Sequence, residues 1–170
     1  KVIIITGGDS GLGRAAAVAF TKEGAKVVIP YYNEHRDAME TKRYIESMGG
    51  ECELLSGDIS DKKFCKEIVD FTLQRFGKID VLVNNAGVAL QKLFTDVTEE
   101  EAQKIFDVNV KGVFNCTKAV LPGMIREKYG KIVNISSMWG ICGASCEVHY
   151  SSSKAAVIGF TKALAKEVGP

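Results

Sequence analysis

Apolar and β-branched residues recur in five short runs, Val2–Thr6, Lys26–Pro30, Cys52–Ser56, Ile79–Val83 and Lys131–Ser136. The first and fourth are apolar almost without a break, Asp80 being the exception. A strand with one wet face alternates apolar with polar residues. An unbroken run has both faces buried, as in a parallel sheet covered by helices. Helical patterns fill the intervals. Arg14–Lys22 is rich in alanine, His35–Met48 stops at Gly49-Gly50, and a helix capped by Asp61 runs to Phe76 and closes at Gly77. Thr98, followed by Glu99–Glu101, opens a long helix toward Arg126, which Gly112, Pro122 and Gly123 should bend or divide. Tyr150–Val168 is the last of five expected helices. Strands and helices alternating at this spacing give right-handed crossovers, and so a doubly wound α/β fold: one parallel sheet with helices on both faces, in a single domain spanning 1–170.

Composition excludes several kinds of partner. The chain is 46% hydrophobic and 25% charged, ordinary for a globular domain, and its net charge of +1 comes from cations spread evenly along it. That leaves no electrostatic footprint for nucleic acid. No apolar run approaches the roughly 20 residues that span a bilayer, and the first residues read as a core strand, not a signal peptide. Five scattered cysteines, Cys52, Cys65, Cys116, Cys142 and Cys146, form no CxxC pair and no metal-ligand pattern. The expectation is reduced, mostly structural thiols, no metal site and a cytoplasmic protein.

"TGGDSGLG", Thr6–Gly13, follows the first run. In a doubly wound sheet ligands sit beyond the carboxyl ends of the strands, where this turn lies. Gly7 allows a tight turn, Gly11 lets a pyrophosphate approach the backbone, and Gly13 lets helix and strand pack closely. The helix that follows presents free N–H groups to phosphate. A plain strand-to-helix turn would carry the same glycines, so the rest of the chain must decide. "VNNAG", Val83–Gly87, closes the fourth run with a tight polar backbone. "GDIS", Gly57–Ser60, closes the third; Asp58 there either accepts a bond from an adenine amino group or caps the next helix, and by itself favours the cap. "NISSMWG" puts Ser137 at the end of the fifth run, within loop reach of Tyr150. In "YSSSK", Tyr150 and Lys154 share one face if helical. A fixed ammonium there lowers the pKa of a phenol that is otherwise near 10, fitting it for proton transfer.

These elements occur in order and at matching intervals: Thr6-Gly7-x-x-x-Gly11-x-Gly13, Asp58, Asn84-Asn85-Ala86-Gly87, Asn109, Ser137 and Tyr150-x-x-x-Lys154. Together they resemble the short-chain dehydrogenase/reductase family over the whole chain. "HYSSSKAAVIGFTKALAKEVGP" is similar to the β-ketoacyl carrier-protein reductases, while "GGDSGLGRA" and "YYNEHRDA" look more like glucose-dehydrogenase-type members. The resemblance implies a Rossmann fold and an NAD(P)-dependent oxidoreductase that interconverts a small-molecule carbonyl, a ketone or 3-oxoacyl group, with its alcohol. It makes Tyr150 the general acid/base, Lys154 the residue that lowers its pKa and binds the nicotinamide ribose, and Ser137 the group that orients the substrate oxygen. It makes Asn109, inside the expected long helix, the holder of a relay water. It assigns the cofactor to Gly7, Ser10, Gly11, Leu12 and Gly13, to Tyr32 and Asn33, to Asp58 and Ile59, to Asn85, Ala86 and Gly87, and to Tyr150 and Lys154. It also implies a homotetramer built on the long helix and the Tyr150 helix.

The end of the second run selects the cofactor. An acid there grips the ribose hydroxyls of NAD; a basic residue accommodates the 2′-phosphate of NADP. Tyr31 stands where the acid would be, and no acid follows until Glu34. Ser10 and Tyr32 replace the expected basic residues, leaving His35 and Arg36 to serve, and NADP is favoured over NAD. Met138, Trp139, Ile141 and Cys142 suggest an apolar substrate wall, and His149 should point away from the Tyr150–Lys154 face. Family members continue well past the residue where this chain stops, so the 170 residues read as a fragment expected to be inactive, or barely active, without the remainder. Two alternatives compete: a catalytically idle dinucleotide-binding module, which has no need of all four of Asn109, Ser137, Tyr150 and Lys154, and a sugar-nucleotide epimerase, which would show a GxxGxxG turn.

Overall fold

In this computed structural model, residues 1–169 are described. Five strands, β1 (Val2–Ile5), β2 (Lys26–Tyr31), β3 (Cys52–Ser56), β4 (Val81–Asn84) and β5 (Lys131–Asn134), form one sheet in the order β3-β2-β1-β4-β5. Every pairing is parallel. Helices α1 (Gly11–Lys22), α2 (His35–Ser47), α3 (Lys62–Phe76), α4 (Glu99–Phe106), α5 (Gly112–Arg126), α6 (Trp139–Cys142) and α7 (Val148–Val168) make the crossovers. The doubly wound α/β expectation therefore holds. The order reverses between β1 and β4, which opens a crevice at their carboxyl ends.

The apolar runs supply both layers of the core. Ile4, Val28 and Leu82 face α3 and α5, meeting Phe64, Ile68, Cys116 and Val120. Ile3, Ile5, Val27, Ile29 and Val83 face the other way, toward Ala17 of α1 and Ile45 of α2. Each such side chain contributes roughly 1.5–3 kcal/mol when removed from water. Pro30 survives inside β2 because the β1 pairing has ended at Val28; its carbonyl on that side accepts only the Gly7 amide, so no ladder bond is lost.

The caps fall as expected on α3 and α4. Asp61 accepts from the Lys63 amide, Gly77 ends α3 at φ 76°, and Thr98 with Glu101 forms a reciprocal capping box. The long helix from Thr98 to Arg126 differs. It is divided by a π turn, Asp107–Lys111, not at Pro122 or Gly123, both of which lie inside α5. The proline removes the bond to the Lys118 carbonyl four residues back, and Lys118 is an exposed residue. A single extra turn, α6, was not expected at all. Asp58 is also not the helix cap: its carboxylate accepts the Ser60 amide at 2.8 Å in the turn before Asp61 takes that role.

Asp80, the one charge in an apolar run, anchors the opposite edge of the sheet. Its Oδ2 accepts the Val2 amide at 2.7 Å and pairs with Lys78 at 2.9 Å, while Oδ1 lies 3.6 Å from Lys1. Burial by itself would raise this carboxyl's pKa, but the bonds from Lys78 and Val2, with Lys1 nearby, outweigh it and hold the pKa below the usual value. A depressed folded-state pKa means stability present above the unfolded carboxyl pKa and lost as pH falls through the folded one. Asp80→Asn should therefore cost about 1–2 kcal/mol in urea denaturation at pH 7. The difference from wild type should shrink as pH drops below about 4.

Candidate active site

The turn after β1 and the loop after β4 are stitched together. Thr6 Oγ1 accepts the amides of Asn85 and Ala86, both at 3.0 Å, and Asn85 Nδ2 donates to the carbonyls of Thr6 and Gly7, both at 3.0 Å. Asn85 thus shapes the turn with its side chain. Gly7 and Gly11 have φ of 63° and 52°, values that favour glycine. A Cβ on Gly13 would collide with the Gly7 carbonyl and the Asn85 amide, so α1 can approach β1 only with glycine there. A Cβ on Gly11 would meet nothing within 4 Å.

That open space adjoins a groove of about 1170 Å³. Gly7, Ser10, Gly11 and Leu12 form one end of it; Tyr32 and Asn33 follow β2, Asp58 and Ile59 follow β3, and Asn85, Ala86 and Gly87 follow β4. Of the residues assigned to the cofactor from sequence, only Gly13, Tyr150 and Lys154 do not line it; Gly13 instead backs the turn. Ser10 makes no side-chain capping bond to α1, and the first turn of α1 holds no acid. Its leading N–H groups are therefore open to an anion, unlike those of α3 and α4. A glycine cradle, an uncapped helix end and a groove crossing the switch point fit a dinucleotide.

Past Gly87 the groove meets a buried polar cluster. Lys154, only 5% exposed, donates from Nζ to the Ile135 carbonyl at 2.9 Å and stands 5.8 Å from the centre of the Tyr150 ring. Burial pushes its pKa down. The loop after β5 is fastened to the same helix: Ser136 donates to the Lys154 carbonyl at 2.8 Å, and Gly140 abuts the backbone of Lys154 and Ala155, with no room for a Cβ. Ser137, between them, has its Oγ accepting the Trp139 amide at 3.2 Å in a local turn. Met138 and Ile141 are exposed beside it. His149 stacks on Phe94 with ring centres 5.3 Å apart, consistent with a structural role.

Asn109 is fully buried in the π turn, on the side where Ile105 and Val113 are also buried. Its Oδ1 accepts the Val88 amide at 2.8 Å, and its Nδ2 donates to the Val88 carbonyl at 2.8 Å and to Ser153 Oγ at 3.0 Å. The side chain clamps the β4 loop to α7 and leaves one acceptor lone pair. Sequence reasoning missed Thr6 as the stitch, Ser136 and Gly140 as fasteners, and Ser153. Each is a small residue beside a recognised motif, with nothing in its type to mark the bond it makes.

The family model described as short chain dehydrogenase matches residues 1–170. The chain belongs to the short-chain dehydrogenase family. Among relatives of this family, it is 43% identical over 169 residues to an oxidoreductase, YhxC, of Bacillus subtilis, a match covering 99% of this chain and 59% of that protein. It is 41% identical over 169 residues to the 3-oxoacyl-acyl-carrier-protein reductase FabG of Thermotoga maritima, covering 99% of this chain and 68% of that one. Against General stress protein 39 of Bacillus subtilis the identity is 39% over 167 residues, with 98% and 58% covered. The chain thus spans about three-fifths of the length of the first and third of these short-chain dehydrogenases.

The two glycines should respond differently. Gly11→Ala forces a left-handed residue at a cost of roughly 1–2 kcal/mol with no clash, so the protein should fold and lose nucleotide affinity. Gly13→Ala should cost more, about 3 kcal/mol, because the collision is with backbone. Urea denaturation of both variants beside nucleotide titration checks the order.

Proposed function

We propose that the full-length protein interconverts a ketone or 3-oxoacyl group with the secondary alcohol by hydride transfer, using NADP ahead of NAD. The observation that carries this reading is the buried Lys154 ammonium over the Tyr150 phenol, at the end of a groove that fits a dinucleotide. The FabG likeness supports the 3-oxoacyl class. When bound, the nicotinamide supplies or accepts the hydride.

The chain's own residues do the rest. Tyr150 gives its phenolic proton to the carbonyl oxygen, or takes the alcohol proton in reverse. Lys154 stabilises the phenolate by charge. One of its three N–H donors is held by Ile135, leaving two for ribose hydroxyls. Ser137 holds the substrate oxygen from a loop that Ser136 fastens to α7, the helix that carries Tyr150. Asn109 keeps the β4 loop and α7 in register, and its remaining lone pair suits the relay water.

For the cofactor, Tyr31 puts no carboxylate at the end of β2, and its hydroxyl is joined to His35 Nδ1 at 2.9 Å. The groove there is lined by Tyr32, Asn33 and Glu34; the Glu34 carboxylate accepts the Asn33 amides, which leaves the Tyr32 hydroxyl as the donor to a 2′-phosphate. Arg14 is not available to it: its guanidinium is held by the Asp9 and Asp37 carbonyls and by Glu40. Phe114, exposed on α5 and stacked on Phe160 of α7 at 4.5 Å, supports assembly with further copies through these helices. A cytoplasmic location follows from the reading of reduced thiols.

Three measurements test the reading. Tyr150→Phe should lower kcat for carbonyl reduction by roughly 10²–10⁴-fold with nucleotide affinity intact; affinity retained by wild type with no turnover of any ketone or 3-oxoacyl thioester would favour the idle binding module. Tyr31→Asp should move preference toward NADH by about tenfold or more, read as the ratio of kcat/KM values. Alcohol oxidation, which releases a proton, should rise with pH and then fall at a pH below the 10.5 of an ordinary lysine, because burial makes Lys154 give up its proton early.

A further inference from the structure

We propose that Ser153 is a positioning residue for the proton transfer, holding the Tyr150 turn of α7 against the β4 loop through Asn109. The proposal rests on the catalytic reading above. Ser153 is fully buried; its Oγ donates to the Tyr150 carbonyl at 2.7 Å and accepts from Asn109 Nδ2 at 3.0 Å. The other Nδ2 hydrogen and the Oδ1 of Asn109 both go to Val88. An amide has two N–H donors, and both are committed. An unbroken chain of bonds therefore runs from the loop after β4 to the carbonyl of the residue that carries the proton. Gly87 marks the convergence, since a Cβ there would lie 3.2 Å from Asn109 Oδ1 and 3.3 Å from Lys154 Nζ.

The two neighbouring serines make an internal comparison. Ser152 is exposed, and Ser151 is buried with an Oγ that has no partner. Only Ser153 of the three is bonded into the cluster. Removing its hydroxyl leaves a buried Asn109 N–H unpaired, and such a group is costly enough to make the amide turn or the helix shift. Either movement changes the setting of Tyr150 beside Lys154. Other charges on elements packed against α7 are engaged elsewhere or line the groove: Asp107 pairs with Lys111, Glu101 with Lys92, and Glu99, Glu100 and Lys104 line the groove. α6 carries no charge, and His149 lies on Phe94. Lys154 is thus the ion whose placement governs the phenol.

The experiment uses the full-length enzyme and follows NADP-dependent oxidation of a secondary alcohol against pH, with nucleotide affinity titrated separately by fluorescence. Ser153→Ala should move the rising limb to higher pH by about one unit and lower kcat at neutral pH roughly tenfold, with nucleotide Kd changed by less than about twofold. Ser151→Ala should overlay wild type. In an Asn109→Ala background, Ser153→Ala should add less than about twofold, because the bond it breaks is already gone. If Ser153→Ala does not fold, Ser153→Cys, of similar size but a weak hydrogen-bonder, should shift the limb in the same direction. Thermal denaturation of the single and double variants gives a second reading independent of turnover: the double variant should lose less than the sum of the singles. A Ser153→Ala profile that superimposes on wild type, a shift of equal size in Ser151→Ala, or additive thermal losses would overturn the proposal. A wild-type enzyme that binds nucleotide and oxidises no alcohol would overturn the catalytic reading and this one with it, while the thermal cycle would still report the clamp.

Discussion

A single hydroxyl sits where the sheet reverses its strand order, and most of the site hangs from it. Thr6 Oγ1 takes the amides of two successive residues of the β4 loop, and the Asn85 side chain returns two bonds to the turn after β1. Parallel neighbours normally diverge beyond their last ladder bond; these are held together for another turn of chain. The Gly7 carbonyl fixed in this way is the surface on which Gly13 packs, and so it sets where α1 begins. Neither Thr6 nor Asn85 needs to touch a ligand for the groove to depend on both.

The groove's charge is the reverse of what its occupant would suggest. Asp9, Glu34, Asp58, Glu99, Glu100 and Asp107 line it against a single lysine, Lys104. An anionic cofactor bound at that end would be held by backbone N–H groups and the end of the α1 dipole, not by side-chain cations. This fits the demands of the turn: Gly7 and Gly11 keep its backbone open to the groove beside Ser10, and Gly13 lets α1 pack behind it. Arg14, next to the turn, spends its donors on the Asp9 and Asp37 carbonyls and on Glu40, bracing the groove wall from behind.

The fold was legible because strand burial and helix caps are local signals. Ile3–Ile5 and Val27–Ile29 are apolar on successive residues, which only a two-sided sheet explains, and Asp61, Gly77 and Thr98 mark helix ends by chemistry of their own. The glycine turn and the Tyr150–Lys154 pair were legible as motifs, and the structure places them along one edge of the sheet. What could not be read was whatever depends on a distant partner. Asn109 was named through the family resemblance, but the bonds it makes to Val88 and Ser153, and the π turn it sits in, were not readable from its place in a long helix. Pro122 looked like a break and instead lies inside α5, four residues after exposed Lys118. Asp58 looked like a cap, but Asp61 stands three residues on and takes the position.

The stitch between Thr6 and Asn85 joins residues 79 apart in the chain, and no shorter route assembles the crevice. During synthesis β1, β2 and β3 are complete well before β4 exists, and for that interval β1 is an unpaired edge of four consecutive buried-type residues. Closing so large a loop carries its entropy cost before any contact rewards it, so the step is slow by comparison with forming the first βαβ units. Half-made chains consequently leave one edge of β1 open, and the population at risk of misassociation is set by how long β4 takes to arrive.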